Sequence, residues 1–403
     1  MESSEQIKTS DLNSHFCIEL AVHIFLEEAE KGSNFVFSPV SLQILLGLIA
    51  IGSTGSTLDQ ILMCLGSKST EDLNSLFSQV LDVTAGQNSY EKDLATGPLV
   101  TMVNGSFIDR CFGLKSSYEE ILKDVYKAEA KAVEFASKAD QVIDEVNTWA
   151  EDVTSGLLKE LLPPGSLGSG TALVFANALY FKGAWNQKFD LERSMHRDFY
   201  LLTGEIVQVP YMTTTKREQS LYREINGYKI LKLPYQSGND SGKFSMYFFL
   251  PLENNGLQNM VQNFNSTPGF FNQEFQLREE NLGVRFWIPR FKFSFEFEAS
   301  KTINELGLTL PFIAAREFTE LACSAHDEKL CVSKIFHKSF IDVNEEGTEA
   351  VASSGLARMS RRCRRVKPPG FIADHPFLFM IREETSRIVF FIGAVINPLL
   401  STS

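Results

Sequence analysis

Residues 344–355 read NEEGTEAVASSG. Two acids and a glycine lead into a run of small side chains that offers a core little to pack. The stretch continues as LARMSRRCRRVKPP, residues 356–369, where six basic residues and no acid lie between Arg358 and Lys367. Successive residues of an extended strand face opposite ways. One face of this stretch therefore carries Thr348, Ala350, Ala352, Ser354 and Leu356, and the other Glu349, Val351, Ser353, Gly355 and Ala357. The first face is small and uncharged, so it can lie over a packed core. An unpaired buried charge there would be very costly, and none occurs before Arg358, which continues the same parity.

Working outward, HKSFIDVNEEG (337–347) reads as a strand, and FLFMIREETSRIVFFIGAVINP (377–398) supplies more. In VRFWIPRFKFSFEFEAS (284–300) the apolar parity flips after Pro289, which predicts a bulge or a break between strands. TALVFANALYFKG (171–183) is apolar almost throughout, as a strand covered on both faces should be. LVTMVNGSFID (99–109) is a further strand. Upstream, LNSHFCIELAVHIFLEEAEKG (12–32) has helical apolar spacing and a closing glycine. NFVFSPVSLQILLGLIAIG (34–52) reads as a short strand, a turn with Pro39 and a buried helix. SSYEEILKDVYKA (116–128) predicts a helix with a Ser-x-x-Glu start. KADQVIDEVNTWAEDVTSGLLKELLP (138–163) predicts a helix, a turn at Gly156 and a further helical turn. Helices dominate the first half and strands the second, without regular alternation, which is an α+β pattern.

The 403 residues are 44% apolar and 22% charged, ordinary for a globular chain. No linker, repeat or low-complexity tract marks a boundary, so one domain over 1–403 is expected. A net charge of −12 argues against nucleic acid and anionic membranes as partners. No apolar run reaches the length of a membrane helix. The N-terminus is polar and acidic, unlike a secretory signal, and the six cysteines lack CxxC spacing. A reducing, cytoplasmic setting with unpaired thiols is expected.

Catalytic signatures are missing: no nucleophile elbow, phosphate loop, dinucleotide fingerprint or zinc helix. A hydrolase is therefore disfavoured, and no cofactor or metal is expected. His337 reads as a structural histidine sooner than a catalytic one. Glu345 and Glu346 make a poor acid–base pair, because neighbours on a strand point apart. Asn-x-Ser/Thr sites begin at Asn104, Asn239 and Asn265.

EEGTEAVAS followed by ADHPFLFMIREETSRIVFFIGAVINP resembles the serpins, the serine protease inhibitor family. NFVFSPVS, VYKAEAKAVEF, VNTWAEDVTSGLLKELLP, FANALYFKGAW and VRFWIPRFKF extend the likeness, in family order, from about residue 10 to 398. FIADHPFLF and YKAEAKAVEF resemble the plant branch. The resemblance implies three β-sheets with eight or nine α-helices and an exposed reactive-centre loop, about 344–370. It implies that a target protease cuts this loop and that the cut loop inserts into the central sheet, trapping the protease as a covalent acyl-enzyme. It places the reactive bond fourteen residues beyond Gly347, at Arg361–Arg362. An arginine there calls for an acidic specificity pocket, hence trypsin-like serine proteases or Arg-specific cysteine proteases of papain-like or metacaspase type. It assigns the hinge to Glu345, Glu346, Gly347, Thr348, Glu349, Ala350, Val351 and Ala352, with Gly347 permitting a backbone reversal. It assigns a gate to Asn34, Ser38, Ser41, Asn177 and His337 beneath the sheet and to Trp185 near the point where insertion begins, and implies a monomer. Two features pull the other way: Arg358 falls on the inward face, and the basic loop is long. The alternative within the fold is a non-inhibitory serpin acting as a binding protein.

Overall fold

Apolar residues on both parities make Leu173–Ala184 a strand with two buried faces. Leu173, Phe175, Leu179 and Phe181 pack into the larger core. Val174, Ala176 and Ala178 pack into a smaller one with Val142, Ile143 and Val146 of helix Phe135–Val153. The computed structural model describes residues 13–85, 97–154, 156–213, 220–238, 242–280, 286–324, 329–348 and 370–400.

Leu173–Ala184 belongs to a six-stranded sheet. Its order is Phe291–Glu298, Lys334–Val343, Gly347–Thr348, Leu173–Ala184, Leu99–Asp109 and Glu129–Val133. A seven-stranded sheet is built largely from the apolar C-terminal strands Phe377–Glu383 and Val389–Val395 and from Phe244–Pro251. A four-stranded sheet contains Phe371–Ile372, Phe286–Pro289, Ile206–Thr213 and Met195–Tyr200. With a minor two-stranded ribbon and eight α-helices among the described residues, the architecture is α+β. None of those helices is long and apolar enough to cross a membrane.

The parity flip at Pro289 marks a change of sheet. Phe286–Pro289 ends in the four-stranded sheet and Phe291–Glu298 begins in the six-stranded one. Arg290 is the crossover residue, its N–H donating to the Pro210 carbonyl at 2.9 Å. Helix Pro39–Gly52 is buried at every position, which explains its lack of a polar face. Pro39 is its first residue, not part of a preceding turn, and Ser38 caps it by accepting the Ser41 N–H at 3.2 Å.

Two local expectations fail. The helix Ser116–Asp124 has Lys115 at its cap position, so neither serine caps it. The helical turn expected beyond Gly156 does not form. Leu158, Leu161 and Leu162 are buried at helix-like spacing, but side chains have taken the backbone partners a helix would use. Asn147 Oδ1 accepts the N–H groups of Leu161 and Leu162, both at 2.8 Å, and its Nδ2 donates to the Leu162 carbonyl at 2.9 Å. Thr154 Oγ1 accepts the Leu158 N–H at 3.0 Å. The segment therefore runs as an irregular strap whose leucines share the smaller core with Phe336, Ala176 and Ala178 of the sheet.

Candidate functional site at the mouth and seam of the six-stranded sheet

The two middle strands, Leu173–Ala184 and Lys334–Val343, run parallel. They pair directly from Lys334 opposite Val174 to Phe340 opposite Tyr180. Beyond that seam they part, and Gly347–Thr348 lies between them, antiparallel to both: Thr348 faces Val343 on one side and Gly183 on the other. The chain reverses through 344–347, closed by the Asn344 N–H donating to the Gly347 carbonyl at 2.9 Å.

Gly347 is needed for close approach. A Cβ on it would sit 2.0 Å from the Gly183 carbonyl oxygen and 2.7 Å from the Ala184 Cα, both backbone atoms that cannot give way. Thr348 is fully buried, and its hydroxyl shares a 2.7 Å hydrogen bond with the Tyr235 hydroxyl. Tyr235 stacks on Trp185, ring centroids 4.6 Å apart. Burial pushes the Tyr235 phenol well above its ordinary pKa, so it stays a neutral donor. Trp185 Nε1–H donates to the Asn344 carbonyl at 2.8 Å, and its backbone N–H to the Glu346 carbonyl at 3.0 Å.

The two adjacent acids, both in the reversal rather than on a strand, have opposite surroundings. Glu346 reaches outward to an ion pair with Lys188. Glu345 is 1% exposed; its Oε1 accepts from Arg290 Nε at 2.7 Å, from Arg290 Nη2 and from the Ser194 hydroxyl. The crossover arginine thus anchors the turn that precedes Gly347. Arg290, Ser194 and Tyr235 carry no local sequence signal for this role; they are far from residues 344–348 in the chain.

Six residues down the sheet, about 20 Å at roughly 3.3 Å per residue, a polar row crosses the seam. Register sets Asn104 opposite Asn177 and Asn177 opposite His337. All three are buried. The Ser38 N–H donates to His337 Nε2 at 3.3 Å, and Ser339 Oγ lies 3.0 Å from the same nitrogen. That assigns the ring proton to Nδ1, which donates to Asn177 Oδ1 at 2.9 Å. Ser41 Oγ–H also donates to Asn177 Oδ1, while Asn177 Nδ2 donates to the Val103 carbonyl at 3.2 Å and to Asn104 Oδ1. Burial lowers the His337 pKa to about 3, so the ring is neutral at physiological pH. Phe37 packs against the ring, centroids 4.9 Å apart. Asn104, one of the Asn-x-Ser/Thr positions, is committed to this row.

Ser38, Ser41, Asn177 and His337 are thus brought together. Trp185 sits apart, at the mouth. Asn34 joins neither group. Its Oδ1 accepts the Ile396 and Asn397 N–H groups at 2.8 and 2.9 Å, and its Nδ2 donates to the Asn397 carbonyl at 2.8 Å, clasping the C-terminal segment. Glu349, Ala350, Val351, Ala352, Arg358, Arg361 and Arg362 lie outside the described residues.

Three main sheets and eight helices among the described residues, with Gly347–Thr348 seated between the two middle strands of the largest parallel seam, define the fold of a protease-inhibitor class. A family model described as "Serpin (serine protease inhibitor)" matches residues 11–398. Serpin-ZX of Arabidopsis thaliana is 44% identical over 391 residues, 96% of this chain and 98% of that protein. Serpin-ZXA of Oryza sativa subsp. japonica is 43% identical over 371 residues, 92% of this chain and 91% of that one. The solved structure of Arabidopsis AtSerpin1 in its native stressed conformation superposes with a TM-score of 0.85 at 41% identity, covering 98% of this chain and 100% of that one. The chain belongs to the serpin family.

Proposed function

We propose that the chain is a suicide-substrate inhibitor of Arg-specific proteases, serine or cysteine, acting in the cytoplasm as a monomer. The observation that carries this reading is the seating of Gly347–Thr348 between Leu173–Ala184 and Lys334–Val343. The first residues of a new central strand are already in place, above a seam that is still closed. The small, uncharged face from Thr348 to Leu356 suits continuation down that seam over the core. Each added strand hydrogen bond is worth about 1 kcal/mol net, so pairing a dozen residues on both edges releases on the order of 10 kcal/mol.

In the proposed reaction the protease's serine or cysteine attacks the Arg361 carbonyl carbon. The Arg361–Arg362 peptide bond breaks, Arg362 leaves with a proton as a new amino terminus, and an ester or thioester links Arg361 to the protease. Insertion then carries that linkage away from the mouth before water resolves it.

The test is to mix the protein with trypsin and with an Arg-specific cysteine protease, denature, and separate by gel, with mass spectrometry of the new terminus. A covalent adduct and an amino terminus at Arg362 are expected. Clean cleavage at that bond with no adduct under any ratio sinks the inhibitory reading and leaves a non-inhibitory binding protein.

A further inference from the structure

The pairs that seat Thr348 fix the register of any strand that continues it. Thr348 lies opposite Gly183 on one side and Val343 on the other, antiparallel to both flanking strands. One step further along each ladder, position 349 falls opposite Lys182 and Asp342. Three steps further, position 351 falls opposite Tyr180 and Phe340. Those two residues already face each other in the closed seam, so the two ladders give one consistent register down the sheet.

Strand alternation assigns the faces. Phe181 and Val343 belong to the larger core, and Tyr235, which meets the Thr348 hydroxyl, packs there with them. Lys182 and Asp342 have the other parity and are partly exposed on the outward face. Asp342 is paired in register with Lys292 of the edge strand, Nζ to Oδ2 at 3.1 Å. Beyond Lys182 the next strand presents Leu99. At this level the outward face therefore runs lysine, aspartate, the place of residue 349, lysine, leucine.

Residue 349 is a glutamate, outside the described residues. A like charge directly opposite destabilises a strand pair, and an opposite charge stabilises it. Entering at this level, Glu349 stands against Asp342, whose charge Lys292 already offsets, and against Lys182. Lys182 is thus the cation that makes entry of an acid favourable. The new strand meets it immediately after Thr348, before any of the seam from Phe340 to Lys334 has opened.

We propose that Lys182 is a positioning residue for loop insertion, receiving Glu349 as the first outward side chain of the new strand. The proposal rests on the inhibitory reading and deepens it. Insertion has to outrun hydrolysis of the acyl linkage, so the ease of its opening step sets how many loops are cleaved for each protease trapped.

Trypsin titrated with the full chain tests this, the readout being moles of inhibitor consumed per mole of protease trapped, with the adduct followed on a gel. Lys182→Glu and Glu349→Lys each raise that ratio by about threefold or more. Combining them restores the ratio to the wild-type value or below, because a lysine at position 349 then lies between acids on both sides. The defect of Lys182→Glu shrinks as salt rises from about 50 mM to about 500 mM. Circular dichroism of the uncut variants confirms each fold. An adduct from the wild type with a ratio unmoved by Lys182→Glu, or a combined variant as poor as its parents, overturns this inference and leaves the inhibitory reading standing. No adduct from the wild type overturns both.

Discussion

The Glu345–Arg290 pair yields an asymmetry that can be worked from exposure alone. Glu345 is 1% exposed and Arg290 37%. Arg290→Met leaves a buried carboxylate whose remaining donor at Oε1 is Ser194. Breaking a buried pair so that a charge stays behind costs about 3–5 kcal/mol. Glu345→Gln does the opposite: the residue left without its counter-charge is an arginine that water already reaches. That loss is closer to one charge-assisted hydrogen-bond set, about 1.5–3 kcal/mol. With an unfolding entropy near 2.1 cal/mol/K per residue over 403 residues, 1 kcal/mol moves Tm by about 1.2 °C. Calorimetry should therefore show Arg290→Met lowering Tm by about 4–6 °C and Glu345→Gln by about 2–4 °C. The double variant should fall close to Glu345→Gln alone, because no buried charge remains to be stranded. If Arg290→Met costs no more than Glu345→Gln, or if the double variant shows the sum of the two, the carboxylate is not sealed from water and the reasoning fails.

Three further outcomes are expected. His337 has a folded pKa of about 3 against about 6.5 unfolded, so its contribution is complete above pH 6.5 and is lost as pH falls toward 3. Unfolding measured across that window should lose about 1.4 kcal/mol per pH unit from this residue, and His337→Gln should flatten that component of the slope. Thr348→Arg places a charge at a position with no exposure; protease cleavage of the loop should persist while the covalent adduct on a gel disappears, and normal trapping would refute insertion. Asn147→Ala removes three hydrogen bonds that hold the strap; amide exchange at Leu161 and Leu162 should accelerate by about tenfold or more, with little change in the seven-stranded sheet.

What the sequence made legible was whatever a local pattern encodes. The double-sided apolarity of 171–183 specified a strand covered on both faces, and the parity flip at Pro289 specified a bulge or a break between strands, which the fold realises as a change of sheet. The adjacency of Glu345 and Glu346 suggested opposite orientations on a strand, whereas both lie in the reversal between two strands, and nothing local said which would be buried. That choice is made by Arg290, 55 residues away, and Ser194, 151 residues away, through sheet contacts that no window of sequence contains. Asn34 sits four residues before Ser38 and shared its motif, yet its partner is 363 residues on, so motif proximity misassigned its company. Leu158, Leu161 and Leu162 have the spacing of a helix face, and the error there came from side-chain competition for backbone groups, which apolar periodicity does not register.

The polar row has one consequence for how the sheet can be opened. Of its side-chain hydrogen bonds, the one joining Asn177 to His337 bridges the two middle strands. Were those strands drawn apart, Asn177 would keep Asn104, Val103 and Ser41, and His337 would keep Ser38 and Ser339. The sheet is perforated at this line the way a page is: each side of the row already has a finished set of side-chain partners, and tearing there costs the row one side-chain contact beyond the backbone ladder that joins the two strands.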